Sequence, residues 1–207
     1  MSQTRTSQRR VWQRMLSGRR LDLIDPSPLD IEVEDIAHGL ARVARWNGQT
    51  RGEHAYSVAQ HSLVVEWIMA TETPDPRWGV AALLHDGPEY VIGDMISPFK
   101  SVLGDDYKSV ENRLQKAIHL RFGLPATLPA PVSRSIKKAD RISAFYEATL
   151  LAGFTVPEAS SLFCKKPPLA IPETFFEPKS ARAVEQMFMQ RFHQLDAAVH
   201  SQPGLPS

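Results

Sequence analysis

Apolar residues recur along most of this chain with the three- and four-residue spacing of amphipathic helices. The first such stripe, Ile36, Leu40, Val43 and Ala44, follows Asp35 and predicts a core helix within residues 28–45. The alternation typical of a β-strand appears only briefly, around residues 31–33. The pattern therefore predicts an all-α helical bundle.

Local start and stop signals divide the rest of the chain into further helices. Ser57 is suited to cap the N-terminus of one helix, and Gly123 is suited to end another. The remaining helices are expected at residues 57–70, 77–86, 89–92, 105–122, 132–151 and 181–200. Residues 155–178 are rich in proline and phenylalanine and lack periodicity, so we expect an irregular segment over the helices.

Length and charge limit the range of functions. With 207 residues and 43% apolar content, the chain is expected to form one domain over residues 1–207. Its 24 basic and 23 acidic residues give a formal net charge of +1. Because that charge creates no overall field, neither nucleic acid nor an acidic membrane is an expected partner.

Three features favour a cytoplasmic protein. No apolar run is long enough to span a membrane, and the N-terminus has no secretory signal. Cys164 is the single cysteine, so an internal disulfide is excluded. Residues 1–20 carry six arginines and no acid, a composition typical of a transit peptide or of a solvated basic extension; we favour a partly mobile extension.

Two polar residues occupy positions where a helix should present its apolar face. His61 lies in a stripe with Val58 and Val64, and Asp140 lies in a stripe with Ile136 and Ala144. A buried histidine bonded to a neighbour would explain the first without any ligand. A buried carboxylate, however, needs a positive partner, which could be Arg134, Arg141 or a metal ion.

His85 and Asp86 close the apolar run of residues 80–84, so both are expected at the inner end of a buried helix. Together with His61 and Asp140, they place two histidines and two aspartates on three predicted helices, as helical bundles do at metal sites. Imidazole and carboxylate ligands suit one Mn, Co, Fe, Ni or Zn ion, with Mg also acceptable. Without cysteine ligands, a closed structural zinc site is disfavoured.

The order of these residues resembles the H…HD…D signature of the HD-domain phosphohydrolase superfamily, and the surrounding sequence resembles its 5'-deoxynucleotidase branch. The matching segments lie within residues 40–152: Ala44-Arg45-Trp46, Gln60-His61-Ser62, residues 84–89, Gly93-Asp94, residues 97–100 and Lys138-Ala139-Asp140. The resemblance implies an all-α HD fold with one metal ion held by His61, His85, Asp86 and Asp140 in a core cleft. It also implies hydrolysis of a phosphate ester or anhydride in a nucleotide.

The resemblance further implies roles around the metal. Glu89 would orient or deprotonate the attacking water, and Asp94 would assist this water or protonate the leaving oxygen. Arg45 would hold phosphate, and Trp46 would pack on the sugar and disfavour a 2'-hydroxyl. The alternatives are solvated acids, a surface arginine and a core tryptophan. Lys100, Lys137 and Lys138 are weaker candidates for phosphate binding.

These roles predict a nucleotidase that acts on (deoxy)nucleoside 5'-monophosphates. Two alternatives stay open: hydrolysis of a nucleoside triphosphate or a guanosine tetraphosphate-type alarmone, and a non-catalytic nucleotide-binding HD protein. The resemblance also favours a homodimer, and the amphipathic helix at residues 181–200 could serve either the core or a dimer interface.

Overall fold

The computed structural model describes residues 11–95, 105–165, 167 and 169–201, and this part of the chain is mostly helical. Its α-helices are α1 Val33–Leu40, α2 Val58–Glu72, α3 Pro76–Leu83, α4 Glu89–Ile92, α5 Asp105–Arg121, α6 Ala130–Leu150, α7 Val156–Leu162 and α8 Ala181–His200. Short 3-10 helices cover Pro28–Asp30, Arg45–Gly48 and Glu173–Phe176. The predicted all-α class is confirmed.

Helix α2 lies at the centre of the bundle. Its N-cap is Ser57, as predicted, and the Ser57 hydroxyl accepts a hydrogen bond from the Gln60 backbone N–H at 3.2 Å. The helix packs against α3, α6 and α8, so that even its polar residues Gln60, His61 and Glu66 are buried. This central position is what places His61 inside the protein.

Helix α8 has the predicted bounds and belongs to the core. Phe188, Phe192 and Leu195 are buried against the other helices, and α8 packs on α1, α2 and α3. Of the two roles foreseen for this helix, the described structure shows the core role. Whether the chain forms a homodimer stays a prediction.

Two helices end earlier than predicted. Helix α1 ends at Leu40, because the chain turns there so that Ala44 can form a β-bridge with Ser57 beside the start of α2. Helix α3 ends at Leu83, and His85 and Asp86 lie in the turn that follows rather than in the helix. This turn is closed by a 3.0 Å hydrogen bond from the Gly87 N–H to the Leu84 carbonyl.

The segment 155–178 was expected to be irregular, and this prediction is wrong for part of it. Residues Val156–Leu162 form α7, which begins with a capping box: Thr155 accepts from the Glu158 N–H, and Glu158 accepts from the Thr155 N–H. Pro157 is tolerated in the first turn. The helix has only seven residues, too few for a clear apolar period.

Part of the basic N-terminal extension is structured. Strands β1 Trp12–Arg14 and β2 Arg20–Asp22 form an antiparallel hairpin, which buries Leu21 completely. The hairpin is anchored to α1 because the Ser17 hydroxyl and N–H donate to the Asp35 carboxylate at 2.5 and 2.9 Å. The sequence pattern gave no signal for these strands. Within the described residues, every helix is too short or too polar to cross a membrane.

Candidate metal centre

The four predicted ligands come from three places in the fold. His61 lies in the first turn of α2 and is fully buried, because α2 is surrounded by other helices. His85 and Asp86 lie in the turn after α3, and Asp140 lies near the middle of α6. The turn after α3 and the packing of α6 on α2 direct these side chains toward one point.

The ligand atoms converge closely. His61 Nε2 lies 3.3 Å from His85 Nε2 and 3.5 Å from Asp86 Oδ2, and His85 Nε2 lies 3.2 Å from Asp86 Oδ2. One ligand atom from each of His61, His85 and Asp86 lies within 4.8 Å of the others, so these residues could hold a metal ion. Asp140 lies at the edge of this group, with its Oδ1 3.4 Å from His61 Nε2.

Asp140 is less buried than its apolar stripe suggested, since its side chain is 38% exposed. The arginines considered as partners take no part in the ligand group. Arg141 donates through Nε to the Phe163 carbonyl, and Arg134 is exposed. Asp140 therefore faces His61 instead of forming an ion pair with Arg141.

Hydrogen bonds at Nδ1 fix the orientation of both histidine rings. His61 Nδ1 lies 2.5 Å from Glu147 Oε1, and His85 Nδ1 lies 2.8 Å from the Ala82 carbonyl. Since a carboxylate and a carbonyl can only accept, each Nδ1 must carry the proton. In the neutral form of each ring, Nε2 would therefore carry the lone pair and face the Asp86 carboxylate, where a cation could bind.

This arrangement fits a metal ion. Nitrogen and oxygen ligands at metal bond lengths of about 2.0–2.2 Å, in tetrahedral or octahedral geometry, lie roughly 3.0–3.5 Å from one another. The observed separations of 3.2 to 3.5 Å match this range. Acceptor atoms at such distances repel one another unless a cation lies among them.

The electrostatics of the site also favour a cation. Burial and the Arg45 charge act to lower the pKa of His61, but the carboxylates of Glu147 and Asp140 raise it to about 10. Burial acts to raise the pKa of Asp86, but the charges of His85, His61 and Arg45 hold it well below its usual value. Asp86 is therefore ionised, and the negative charge around His61 favours a cation at Nε2, either a proton or a metal ion.

Arg45 lies beside this centre, between two acids. Its Nε donates to Glu147 Oε2 at 3.2 Å, and its Nη1 donates to Asp94 Oδ2 at 3.3 Å. Burial acts to lower the pKa of Arg45, but Glu147, Asp94 and Asp86 raise it, so the guanidinium keeps its charge. The alternative of a surface arginine is excluded, since this side chain is only 14% exposed.

Trp46 adopts a backbone conformation that is rare for a bulky residue. Its φ and ψ are 56° and 28°, in the left-handed region that costs about 1–2 kcal/mol for a residue with a Cβ. The indole ring contacts Phe154 and Phe163, and its Nε1 donates to Glu147 Oε2 at 2.9 Å. Unusual backbone geometry that is held by specific contacts is typical of functional sites.

Sequence reasoning missed Glu147 and Ser143, which support the centre. Glu147 is completely buried, and Ser143 donates to it at 2.7 Å from the preceding turn of α6. Burial acts to raise the pKa of Glu147, but the charges of His61 and Arg45 hold it well below its usual value. A signal existed: Ser143 and Glu147 follow Asp140 by three and seven residues, on the same face of one helix.

The predicted acids Glu89 and Asp94 lie on the short α4 and just after it. Glu89 begins α4 and is 3% exposed, and its backbone N–H donates to the Asp86 carbonyl at 3.0 Å. Glu89 is thus one turn away from a predicted ligand. Asp94 is 8% exposed and contacts Arg45. Neither acid is the solvated surface group considered as the alternative.

A cavity of about 280 Å³ adjoins the centre. Its lining includes His85 and Asp140, and beside them Lys137, His119 and Gln115. Lys137 therefore lies where a ligand next to His85 could meet it. Lys138, by contrast, pairs with Glu72 at 2.7 Å, and Lys100 lies outside the described residues.

Comparison with known proteins identifies a family. No family model matches the chain. Over 189 residues the sequence is 56% identical to "Uncharacterized protein RCAP_rcc00048" of Rhodobacter capsulatus, which covers 90% of this chain and 96% of that protein. The chain belongs to the family of that protein. "Uncharacterized protein YfdR" of Escherichia coli K12 is 34% identical over 103 residues, about half of each chain.

In this member of the RCAP_rcc00048 family, a ligand group and a buried arginine thus lie side by side. His61, His85 and Asp86 could hold a divalent cation, and Arg45 reaches the same region with a permanent positive charge. Metal ions and arginine both bind phosphate oxygens. The site is chemically suited to an anionic, phosphate-bearing ligand.

Proposed function

We propose that the chain is a metal-dependent phosphohydrolase that acts on nucleotides, most readily a 5'-nucleotidase of (deoxy)nucleoside monophosphates. The observation that supports this proposal is the convergence of His61 Nε2 and His85 Nε2 on the Asp86 carboxylate, with Asp140 next to His61. Such a group binds a divalent ion, and its open coordination positions suit catalysis better than structure.

His61, His85 and Asp86, with Asp140 at the edge, would hold the ion. A bound divalent ion lowers the pKa of water toward neutrality and polarises a phosphoryl oxygen. The remaining chemistry belongs to the side chains around it. The most demanding step is removal of a proton from the attacking water.

Glu89 is the best candidate for this proton transfer. It is buried at the start of α4, one turn after Asp86, so its carboxylate lies within the protein beside the ligand turn. In the proposal, Glu89 takes the proton as the water oxygen attacks phosphorus. Asp94, held by Arg45, would orient the water, or would accept a proton and pass it to the leaving 5'-oxygen.

Arg45 and Trp46 would bind the substrate. The Arg45 guanidinium is charged, and its Nη atoms are suited to phosphate oxygens in a two-pronged contact. Trp46 offers a large apolar ring on which the sugar would pack. A 2'-hydroxyl buried against this ring would have no hydrogen-bond partner there, so a ribose would bind less well than a deoxyribose. Lys137 lines the adjoining cavity and would add a second positive charge.

The cavity beside His85 and Asp140 is open to solvent, so its volume does not select among nucleotide substrates. We place the monophosphates first among the candidate substrates because the sequence resembles the 5'-deoxynucleotidase branch.

Phosphate release by metal-stripped protein tests the proposal. The protein would be resupplied with Mn, Co or Mg and incubated with deoxy- and ribonucleoside mono- and triphosphates and with an alarmone. We expect metal-dependent phosphate release from the monophosphates, faster for the deoxy sugars. Release from none of these nucleotides by protein that has bound metal would contradict the proposal and favour a non-catalytic nucleotide-binding protein.

A further inference from the structure

Glu147, on α6, is hydrogen-bonded both to the ligand group and to the Arg45–Trp46 pair. One carboxylate oxygen, Oε1, accepts from His61 Nδ1 at 2.5 Å and from the Ser143 hydroxyl at 2.7 Å. The other, Oε2, accepts from Trp46 Nε1 at 2.9 Å and from Arg45 Nε at 3.2 Å. The side chain is completely buried.

The number of these contacts matters. An ionised carboxylate is a pure acceptor with about four lone-pair sites, and all four neighbours of Glu147 are donors. Each carboxylate oxygen therefore accepts two hydrogen bonds, and all four lone-pair sites are occupied. A neutral amide of the same shape could satisfy only one of the two pairs, since its NH₂ group would face two donors.

Each pair of contacts fixes one half of the site. The bond to His61 keeps the proton on Nδ1, so that Nε2 is left to bind a cation. The bonds to Arg45 and Trp46 hold a segment in which Trp46 and Asn47 have φ values of 56° and 50°. Such a segment persists only where contacts compensate the backbone cost.

We infer that Glu147 is a positioning residue that couples metal binding at His61 to substrate binding at Arg45 and Trp46. Only the part of this inference that concerns substrate binding rests on the proposed function. Metal binding depends on Glu147 because the carboxylate sets the ring orientation and the tautomer of His61. Substrate binding depends on it because the same carboxylate fixes the guanidinium and the indole.

The test replaces the carboxylate by its amide, Glu147→Gln. The matched control is Glu66→Gln, another buried acid, which pairs with Arg191 at 2.6 Å on the far side of α2. Titration with Mn²⁺ should show about 10–100-fold weaker binding for Glu147→Gln, as for other residues that orient a metal ligand. Glu66→Gln should bind Mn²⁺ with the affinity of the wild type.

A spectroscopic readout separates positioning from a general loss of stability. In ¹⁵N-histidine spectra of metal-free protein, the His61 signals, assigned with His61→Ala, should show protonated Nδ1 in the wild type. In Glu147→Gln this Nδ1–H signal should weaken or move to Nε2. With substrate, KM should rise together with the metal dissociation constant, because both halves of the site are loosened.

Three results would overturn the inference: unchanged Mn²⁺ affinity in Glu147→Gln, equal losses in Glu147→Gln and Glu66→Gln, or an unchanged His61 spectrum. If Glu147→Gln does not fold, Ser143→Ala provides the test, because it removes one of the four donors to Glu147. We expect a few-fold loss of Mn²⁺ affinity. An unchanged Mn²⁺ affinity would contradict the inference. Wild-type protein that binds Mn²⁺ but hydrolyses no nucleotide would contradict the proposed function, while the affinity comparison would still decide the role of Glu147.

Discussion

The Nε2 atoms of His61 and His85 lie 3.3 Å apart, while each ring donates its Nδ1 proton to an acceptor on the opposite side. The two Nε2 atoms are thereby directed at one point, next to ionised Asp86, where a cation could bind both. This relationship distinguishes the centre from a pair of ordinary core histidines, because such histidines would use Nε2 for a hydrogen bond to an acceptor or donor of the core.

The first prediction concerns the ligands. His61→Ala should lose bound metal almost completely, since its imidazole contacts every other ligand group. Asp140→Ala should weaken metal binding by at least about tenfold but leave more metal bound than His61→Ala, because Asp140 lies at the edge and is partly exposed. Metal analysis of dialysed proteins measures both effects.

His38→Ala is the control for this experiment, because His38 is a partly exposed histidine that pairs with Glu185 on α8. It should retain the metal content of the wild type. Equal metal content in the His61→Ala and His38→Ala proteins would refute the assignment of His61 as a ligand.

The second prediction separates binding from chemistry. Glu89→Gln should retain the metal and lower kcat by about 10²–10⁴-fold, the usual range for loss of a general base. Glu89 is buried beside the ligand turn, and its amide keeps the shape of the acid. Metal content and single-turnover rates would be measured together. A rate equal to that of the wild type would remove Glu89 from the mechanism.

The third prediction tests the sugar preference. Trp46→Ala should lower the ratio of kcat/KM for deoxy- over ribonucleoside monophosphates, because the apolar wall against the sugar is lost. Trp78→Ala is the control, since Trp78 contacts Arg77 at the start of α3. If both variants keep the wild-type ratio, Trp46 does not select the sugar.

The fourth prediction concerns packing beneath α4. A Cβ at Gly39 on α1 would lie 2.8 Å from Tyr90 Cβ and 2.9 Å from the Tyr90 carbonyl oxygen. Alanine is the better helix former by about 1 kcal/mol, but overpacking against a backbone costs typically 1–3 kcal/mol. Gly39→Ala should therefore lower the free energy of unfolding and, by displacing α4, slow turnover.

Gly79→Ala provides the comparison in chemical denaturation. Its Cβ would meet the end of the Leu195 side chain at 2.7 Å, and this side chain can move. The loss should be smaller than for Gly39→Ala. A Gly39→Ala protein at least as stable as the wild type would show that α1 and α4 pack less closely than described.

Much of the fold could be predicted because its helices bury periodic apolar faces and begin at clear caps. The predicted bounds of α8 and the cap of α2 at Ser57 agree with the structure for this reason. The short α7 and the N-terminal hairpin were missed because seven residues and two three-residue strands carry too little periodicity.

The centre was predictable to the extent that its ligands stand in apolar surroundings. His61 and Asp140 were found because each interrupts an apolar stripe. The helical spacing places Glu147 on the same face as Asp140, but its role depends on long-range contacts with Arg45 and Trp46, about a hundred residues earlier in the chain. No spacing rule along the sequence predicts which distant donors will meet a buried carboxylate.

The central claim is that one divalent ion, held by this ligand group, drives the hydrolysis of a nucleotide phosphate. Its most direct test is a titration of metal-stripped protein with Mn²⁺, in which bound metal and phosphate release from a deoxynucleoside 5'-monophosphate are followed together. We predict that activity rises with occupancy and reaches its plateau at one ion per chain. An absence of phosphate release at full occupancy, or a plateau at two ions per chain, would contradict the account.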